Sequence, residues 1–119
     1  MNKEEIISWL SKYEITNYTI HDNLVVDVHK NVLLNSKNLT SLPFQFGIIK
    51  GSFYCHHNQL TSLEHCPKIV HGYFACYNNK LTSLDHCPKV VQDSFWCDEH
   101  LKQDIRYLRY QLAKQLMEL

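Results

Sequence analysis

The chain has 119 residues, 45% of them hydrophobic, and twelve basic residues balance twelve acidic ones. This length and composition fit one globular domain, residues 1–119. No Lys/Arg cluster indicates nucleic-acid binding, and no apolar run approaches the roughly 18 residues of a membrane helix. The first residues lack the basic and apolar segments of a signal peptide, and the five cysteines are an odd number. We therefore expect a cytosolic protein with reduced thiols.

The N-terminal segment, residues 1–17, predicts a short cap helix. Asn2 followed by Glu5 is typical of a capping box. Four apolar residues then share one helical face: Ile6, Trp9, Leu10 and Tyr13. Beyond it, the Val-, Leu- and Ile-rich segment 19–34 predicts one or two strands.

The central segment, residues 18–100, repeats every 21 residues. Two patterns recur in step, three times each: Leu-Thr-Ser-Leu from Leu39, Leu60 and Leu81, and Phe-x-Cys from Phe53, Phe74 and Phe95. Such a period indicates a solenoid, in which each coil buries its apolar face against the next. We expect the repeated Phe, Cys and Leu side chains to form stacked core columns. Val32 and Leu34 begin a degenerate first coil, which makes about four coils.

One asparagine per repeat predicts an inward amide that bonds to the backbone of its coil, at Asn58 and Asn79. His100 and Lys37 replace it in the terminal repeats. The unit apolar-x-apolar-x-x-Asn-x-Leu resembles the leucine-rich-repeat consensus. The predicted fold is an α/β repeat solenoid, with a short leucine-rich-repeat-type parallel sheet capped by helices at both ends.

The last segment, residues 101–119, predicts an amphipathic helix with Asp98 or Glu99 near its start. Its apolar residues follow helical spacing: Leu101, Ile105, Leu108, Leu112, Leu116 and Leu119. This stripe predicts a cap over the last coil, which repeat proteins need at their ends. The alternative is an assembly protein in which Ile105, Leu108 and Leu112 seat a second copy in a homodimer.

Two His-Cys pairs have the donor types of a tetrahedral zinc site: His65, Cys66, His86 and Cys87. Adjacent side chains diverge in an extended chain and no chelating spacing is present, so we predict no metal and no other cofactor. Cys55, Cys76 and Cys97 fit a core column. The chain has no phosphate loop and no hydrolase or metalloprotease motif, which predicts a non-enzyme. A cysteine nucleophile paired with a histidine is the remaining catalytic alternative.

Alternation along the strands predicts a second, outward set of residues: Asn31, Leu33, Ser52, Tyr54, His56, Tyr73, Ala75, Tyr77, Ser94, Trp96 and Asp98. Four of them are Tyr or Trp, the types that dominate interface hot spots. The alternative is that they only stack on one another along the sheet. We predict a binding site for a protein partner formed by six of them: Tyr54, His56, Tyr73, Tyr77, Trp96 and Asp98.

Several segments together carry a family resemblance: Trp9-Leu10 with Tyr13, the Val-rich stretch 25–32, Leu42-Pro43-Phe44-Gln45-Phe46 and the coils 48–97. In these, nearly the whole chain resembles a group of small leucine-rich-repeat-like proteins of tailed bacteriophages. It departs from them at Gln92-Asp93, where a glycine is missing, and at His100. The resemblance implies a solenoid in the bacterial cytosol. By analogy, it also implies a protein that binds and neutralises a host enzyme or defence factor.

Overall fold

A computed structural model describes residues 1–119 as a β-solenoid of about three turns, with two sheets of mainly parallel strands along its length and a helix at each end. Helix α1 spans Lys3–Lys12 and helix α2 spans Ile105–Met117. A 3-10 turn at Glu99–Leu101 precedes α2. The strands between them are short: β1 Tyr18–Ile20, β2 Val26–Val28, β3 Val32–Leu33, β4 Phe46–Ile49, β5 Phe53–Tyr54, β6 Ile69–Val70, β7 Phe74–Ala75, β8 Val90–Val91 and β9 Phe95–Trp96. Neither helix has the length and apolar character that a membrane crossing requires.

The predicted phenylalanine column is confirmed in the four-stranded sheet, whose order is β3-β5-β7-β9. Val32 lies opposite Phe53, Phe53 opposite Phe74, and Phe74 opposite Phe95, always in parallel register. The Phe53 and Phe74 rings stack with centroids 6.0 Å apart, and both side chains are fully buried. Each offset is one sequence period, so the repeat fixes the register of this sheet.

The coils also contribute strands that we did not predict, β4, β6 and β8. They continue in parallel from β2, which pairs with β1 in antiparallel orientation, and complete the second sheet, β1-β2-β4-β6-β8. The segment 19–34 accordingly lies in three strands rather than one or two. Within the second sheet the register partners Ile49, Val70 and Val91 are buried, whereas Ile48 and Val90, which precede them, are exposed. Strands of two to four residues do not show the alternation that identifies a longer strand, so the sequence pattern did not reveal them.

The predicted inward amides are confirmed. Asn58 Oδ1 accepts the backbone N–H groups of Lys37 and Leu39, each at 3.0 Å. Its Nδ2 donates to the carbonyls of Leu34 at 2.8 Å and Cys55 at 3.0 Å. Asn79 repeats the arrangement one coil later. These amides join successive coils where the backbone turns too sharply for strand pairing.

At the N-terminus the predicted capping box is present, with Asn2 Oδ1 accepting the Glu5 N–H at 2.8 Å and Glu5 Oε1 accepting the Asn2 N–H at 2.9 Å. Ile6 and Leu10 are fully buried. Trp9 packs edge-on against Phe44, with centroids 5.2 Å apart. Helix α1 therefore covers the first coil.

At the C-terminus the helix covers the last coil, but the predicted contact face was wrong. Phe95 packs against Tyr107 and Tyr110, at centroid distances of 5.6 and 5.4 Å. The Tyr110 hydroxyl donates to the Asp93 carbonyl at 2.8 Å and accepts the Phe95 N–H at 3.1 Å. A leucine in its place has no polar group for these backbone atoms.

Of the apolar residues predicted to contact the last coil, Leu101 is buried as expected, whereas those that follow it face solvent. We call the leucine stripe Ile105, Leu108, Leu112 and Leu116, which are 55%, 41%, 56% and 60% exposed. The start of the helix also differs from the prediction. Asp104, rather than Asp98 or Glu99, caps α2 by accepting the Arg106 N–H at 2.9 Å. The intervening 3-10 turn alters the phase of the helix relative to the repeat, so spacing counted from Leu101 gave the wrong face.

Candidate partner-binding face

The outer side of the four-stranded sheet carries two stacked pairs of rings. His56 and Tyr77 lie with centroids 4.6 Å apart and planes 14° from parallel. Tyr73 and Trp96 lie 5.0 Å apart at 12°. We call the aromatic face the six residues predicted for partner binding, which the structure places on this one side: Tyr54, His56, Tyr73, Tyr77, Trp96 and Asp98.

The repeat explains the two stacks. His56 and Tyr77 are one period apart, so they occupy equivalent positions on adjacent coils and stack directly along the solenoid. The sequence separation of Tyr73 and Trp96 is one period plus two residues, so these two rings make a diagonal contact between adjacent coils. Stacked rings lose little additional side-chain entropy on binding, so this face is ordered before a partner arrives.

Two residues predicted to point outward are in fact buried. Ser52 is 7% exposed, because its hydroxyl accepts the Tyr73 N–H at 2.9 Å between two coils. Ala75 is fully buried. Its methyl group lies in register beside Tyr54 on one coil and Trp96 on the next, and these larger side chains cover it. The surface available to a partner is therefore formed by the rings rather than by the whole strand face.

At one edge of the aromatic face lie two polar residues that sequence reasoning missed, His57 and Asn78. Asp98 Oδ1 accepts the Asn78 N–H at 2.8 Å, and Asn78 Nδ2 donates to His57 Nε2 at 2.8 Å. His57 and Asn78 have positive φ angles of 56° and 54°. Asn at a turn position is a signal for such a conformation. This bonding fixes the carboxylate of Asp98 beside the rings.

The surroundings of His56 favour its neutral form. Partial burial lowers the pKa of His56, and the adjacent His57 lowers it further. Its Nδ1 is buried without a hydrogen-bond partner. A neutral imidazole stacked on Tyr77 presents apolar area rather than charge, and Asp98 is the acidic member of the face.

No protein-family model, curated protein or solved structure matches this chain. What the aromatic face can do is therefore inferred from its own side chains. Trp96 is 44% exposed and the three tyrosines are half-buried, which combines apolar contact area with hydroxyl groups at the surface. This combination suits noncovalent contact with another macromolecule.

The other predicted candidates lie elsewhere. Ile105, Leu108 and Leu112 belong to α2. Nowhere do three or more His, Cys, Asp or Glu side chains converge as a metal ion would require. In one of the two His-Cys pairs that were weighed as zinc ligands, His65 Nδ1 donates to the Leu42 carbonyl at 2.7 Å. That hydrogen bond occupies Nδ1 of His65 within the turn.

The cysteines line the core in two columns, and burial is the main influence on the acidity of four of them. Burial raises the pKa of the Cys66 thiol well above its usual range, and the neighbouring Cys55 raises it further. Burial likewise raises the pKa of Cys76. It raises the pKa values of Cys87 and Cys97 to about 11. These thiols are protonated at neutral pH, whereas both nucleophilic attack and metal ligation need the thiolate.

Proposed function

We propose that the protein is a protein-binding module that engages its partner through the aromatic face. The observation that carries the proposal is the pair of ring stacks, His56 on Tyr77 and Tyr73 on Trp96, held on an open sheet surface. Aromatic residues in a preordered patch are the side chains whose truncation most often weakens protein interfaces. Cross-strand stacking alone needs no exposed indole, yet Trp96 is 44% exposed.

The chemistry of the face sets what its partner presents. The rings and the neutral His56 favour an apolar or aromatic surface. Asp98 favours a hydrogen-bond donor or a cation at the edge. We further propose a host enzyme or defence factor in the bacterial cytosol as the partner, with the protein acting as a phage-encoded inhibitor or modulator. This step is supported by the resemblance to tailed-phage proteins.

We also propose that the coils are of the leucine-rich-repeat type and number four. Support comes from the Asn58 and Asn79 amides, which hold the turns after β5 and β7. The four-stranded sheet, β3-β5-β7-β9, gives one strand for each proposed coil. The first coil then starts at Val32.

The test begins by isolating a stoichiometric partner from bacterial lysate with the tagged protein. The affinity of that purified partner is then measured by calorimetry. The triple variant Tyr54→Ala/Tyr73→Ala/Trp96→Ala should weaken binding at least about 100-fold, because hot-spot truncations each cost about 2 kcal/mol or more. Urea unfolding checks that the variant is folded.

The matched control changes three exposed residues that make no side-chain hydrogen bond: Gln59→Ala/Thr61→Ala/Lys80→Ala. It should bind within about threefold of the wild type, since surface substitutions away from a site have small effects. A folded aromatic variant that binds as well as this control rules out the aromatic face as the site.

A second candidate function is assembly of identical subunits through α2. The specific observation is the leucine stripe, in which Leu108 and Leu112 are 41% and 56% exposed along one side of the helix. Light scattering should then give a defined oligomer that Leu108→Glu/Leu112→Glu dissociates, while Gln111→Glu/Gln115→Glu, with the same charge change, leaves it intact. A wild-type monomer at high micromolar concentration excludes this function.

A further inference from the structure

A groove lies between α2 and the last coil, away from the aromatic face. Its volume is about 640 Å³, within the range of about 300–1,000 Å³ that is typical of small-molecule sites. Val90 and Val91 of β8 line one wall, and Ala113 and Met117 of α2 line the other. Phe95, buried under the last coil, also contributes to the lining.

The charge of the groove differs from that of the whole chain. The chain balances twelve basic with twelve acidic residues, yet no Asp or Glu lines the groove. Five cationic side chains do: Lys68, Lys89, Arg106, Arg109 and Lys114. The groove therefore concentrates positive charge over apolar walls.

Most of this charge is not neutralised within the protein. Arg106 pairs with Asp104 at 2.9 Å and with Asp85 at 3.1 Å. Lys68, Lys89 and Arg109 take part in none of the five ion pairs of the structure. Lys114, the remaining cation of the groove, donates to the backbone carbonyl of Gln92 rather than to a carboxylate.

Two of the free cations come from adjacent coils. The Lys89 N–H donates to the Lys68 carbonyl at 2.9 Å, so the two residues sit side by side one period apart. Like charges on neighbouring strands repel each other and destabilise the sheet. An anion bound at Lys89 reduces its repulsion of Lys68.

We propose that this groove binds a small organic anion with an apolar body, such as an aromatic or aliphatic carboxylate, sulfonate or phosphate ester. Lys89 and Arg109 contact the anionic group, and Val90, Ala113 and Met117 contact the apolar body. Arg109 matches the planar geometry of such an anion, because its guanidinium offers paired donors. The site is independent of the aromatic face.

The probes are two dyes that differ mainly in charge. 1-Anilinonaphthalene-8-sulfonate carries an apolar body and one sulfonate, and N-phenyl-1-naphthylamine has the same rings without it. The sulfonate dye should bind at a single saturable site, at least tenfold more tightly than the neutral dye. Equal affinity for the two dyes, or no saturable binding, overturns the proposal.

Matched charge variants locate the site. Lys89→Glu/Arg109→Glu should weaken binding of the sulfonate dye at least tenfold. Lys30→Glu/Lys50→Glu makes the same change in net charge at exposed residues outside the groove and should leave affinity within about twofold. An equal loss in both variants means that the dye responds only to overall charge, which refutes the site.

Amide chemical-shift mapping gives a readout independent of fluorescence. Addition of the sulfonate dye should shift the resonances of Val90, Val91 and Ala113. Shifts confined to Leu108 and Leu112 would place the dye on the leucine stripe and overturn the assignment. Tighter binding of an acidic peptide than of the dye at the same amides would replace the small anion with a protein segment as the occupant.

Discussion

Replacing Asn58 with alanine removes the amide that holds one turn of the solenoid together. Asn58 is 8% exposed and bonds to five backbone groups. The Cys55 carbonyl also accepts from Asn79 at 3.0 Å and so keeps a partner. The Leu39 N–H and the Leu34 carbonyl, both in buried bonds, lose theirs. An unsatisfied buried group costs about 1–3 kcal/mol, so Asn58→Ala should lower the free energy of unfolding by about 2–5 kcal/mol.

Urea unfolding followed by tryptophan fluorescence measures this loss. Asn79→Ala should cost less, about 1–2 kcal/mol, because the bonds of Asn79 are only partly buried. Gln59→Ala, at an exposed residue adjacent to Asn58, should change stability by less than about 0.5 kcal/mol. The role given to the amides is wrong if Asn58→Ala lowers the free energy of unfolding no more than Gln59→Ala does. It is also wrong if Asn79→Ala lowers it more than Asn58→Ala.

Asn58→Asp separates the accepting role of the amide from its donating role. A carboxylate still accepts the Lys37 and Leu39 N–H groups, but it faces the Leu34 carbonyl without a proton to donate. Burial and that carbonyl should raise the pKa of the new carboxyl group in the folded state. Its protonated form is then favoured by folding, so the destabilisation should diminish as the pH falls from 7 towards 4. A loss of stability that is constant over this range contradicts the donating role.

Three further predictions concern the coil spacing, the C-terminal cap and the thiols. Gly72→Ala places a methyl group against Ser52 Oγ and 3.0 Å from the Ser52 backbone nitrogen. We expect the free energy of unfolding in urea to fall by about 1–3 kcal/mol. The control Asp93→Ala, at the equivalent exposed position of the last coil, should leave it nearly unchanged. Burial on its own raises the pKa of Asp104, but the Leu84 N–H and other donors around it reverse this and lower the pKa overall. Its stabilisation is therefore present above the unfolded pKa and lost as pH falls through the folded pKa, and Asp104→Asn should show less acid destabilisation below pH 4 than the wild type. Four of the five thiols are buried: Cys55, Cys66, Cys76 and Cys97. They should react with a disulfide reagent at pH 8 only after denaturation, so fast reaction of more than the half-buried Cys87 in the native protein would contradict their burial.

Features that depend on one side chain per period could be predicted from the sequence. Phe53, Phe74 and Phe95 pair in the expected register because identical positions on stacked coils must meet. The Asn58 amide followed from the same logic. The rings of the aromatic face were likewise found on one side of the sheet, as alternation predicts, although their role in binding stays a prediction.

Features that depend on how separate segments meet could not be predicted. The second sheet consists of strands of two to four residues, such as Val90–Val91, which are too short to show a period. The contact face of α2 depends on the 3-10 turn before it, which has no clear sequence signal. The cationic groove depends on the placement of both the second sheet and α2, because Lys68 and Lys89 come from the coils whereas Arg109 comes from the helix.

The hydroxyl of Tyr110 also explains why the solenoid stops where it does. In the preceding coils the groups equivalent to the Phe95 N–H and the Asp93 carbonyl bond to the next coil, as the Phe74 N–H does to the Ser94 carbonyl at 2.9 Å. Tyr110 satisfies both of these groups with one oxygen. A protein without this tyrosine would present an open strand edge, the kind of surface on which identical chains add end to end into filaments. We therefore expect the helix to oppose end-to-end polymerisation in addition to covering the core.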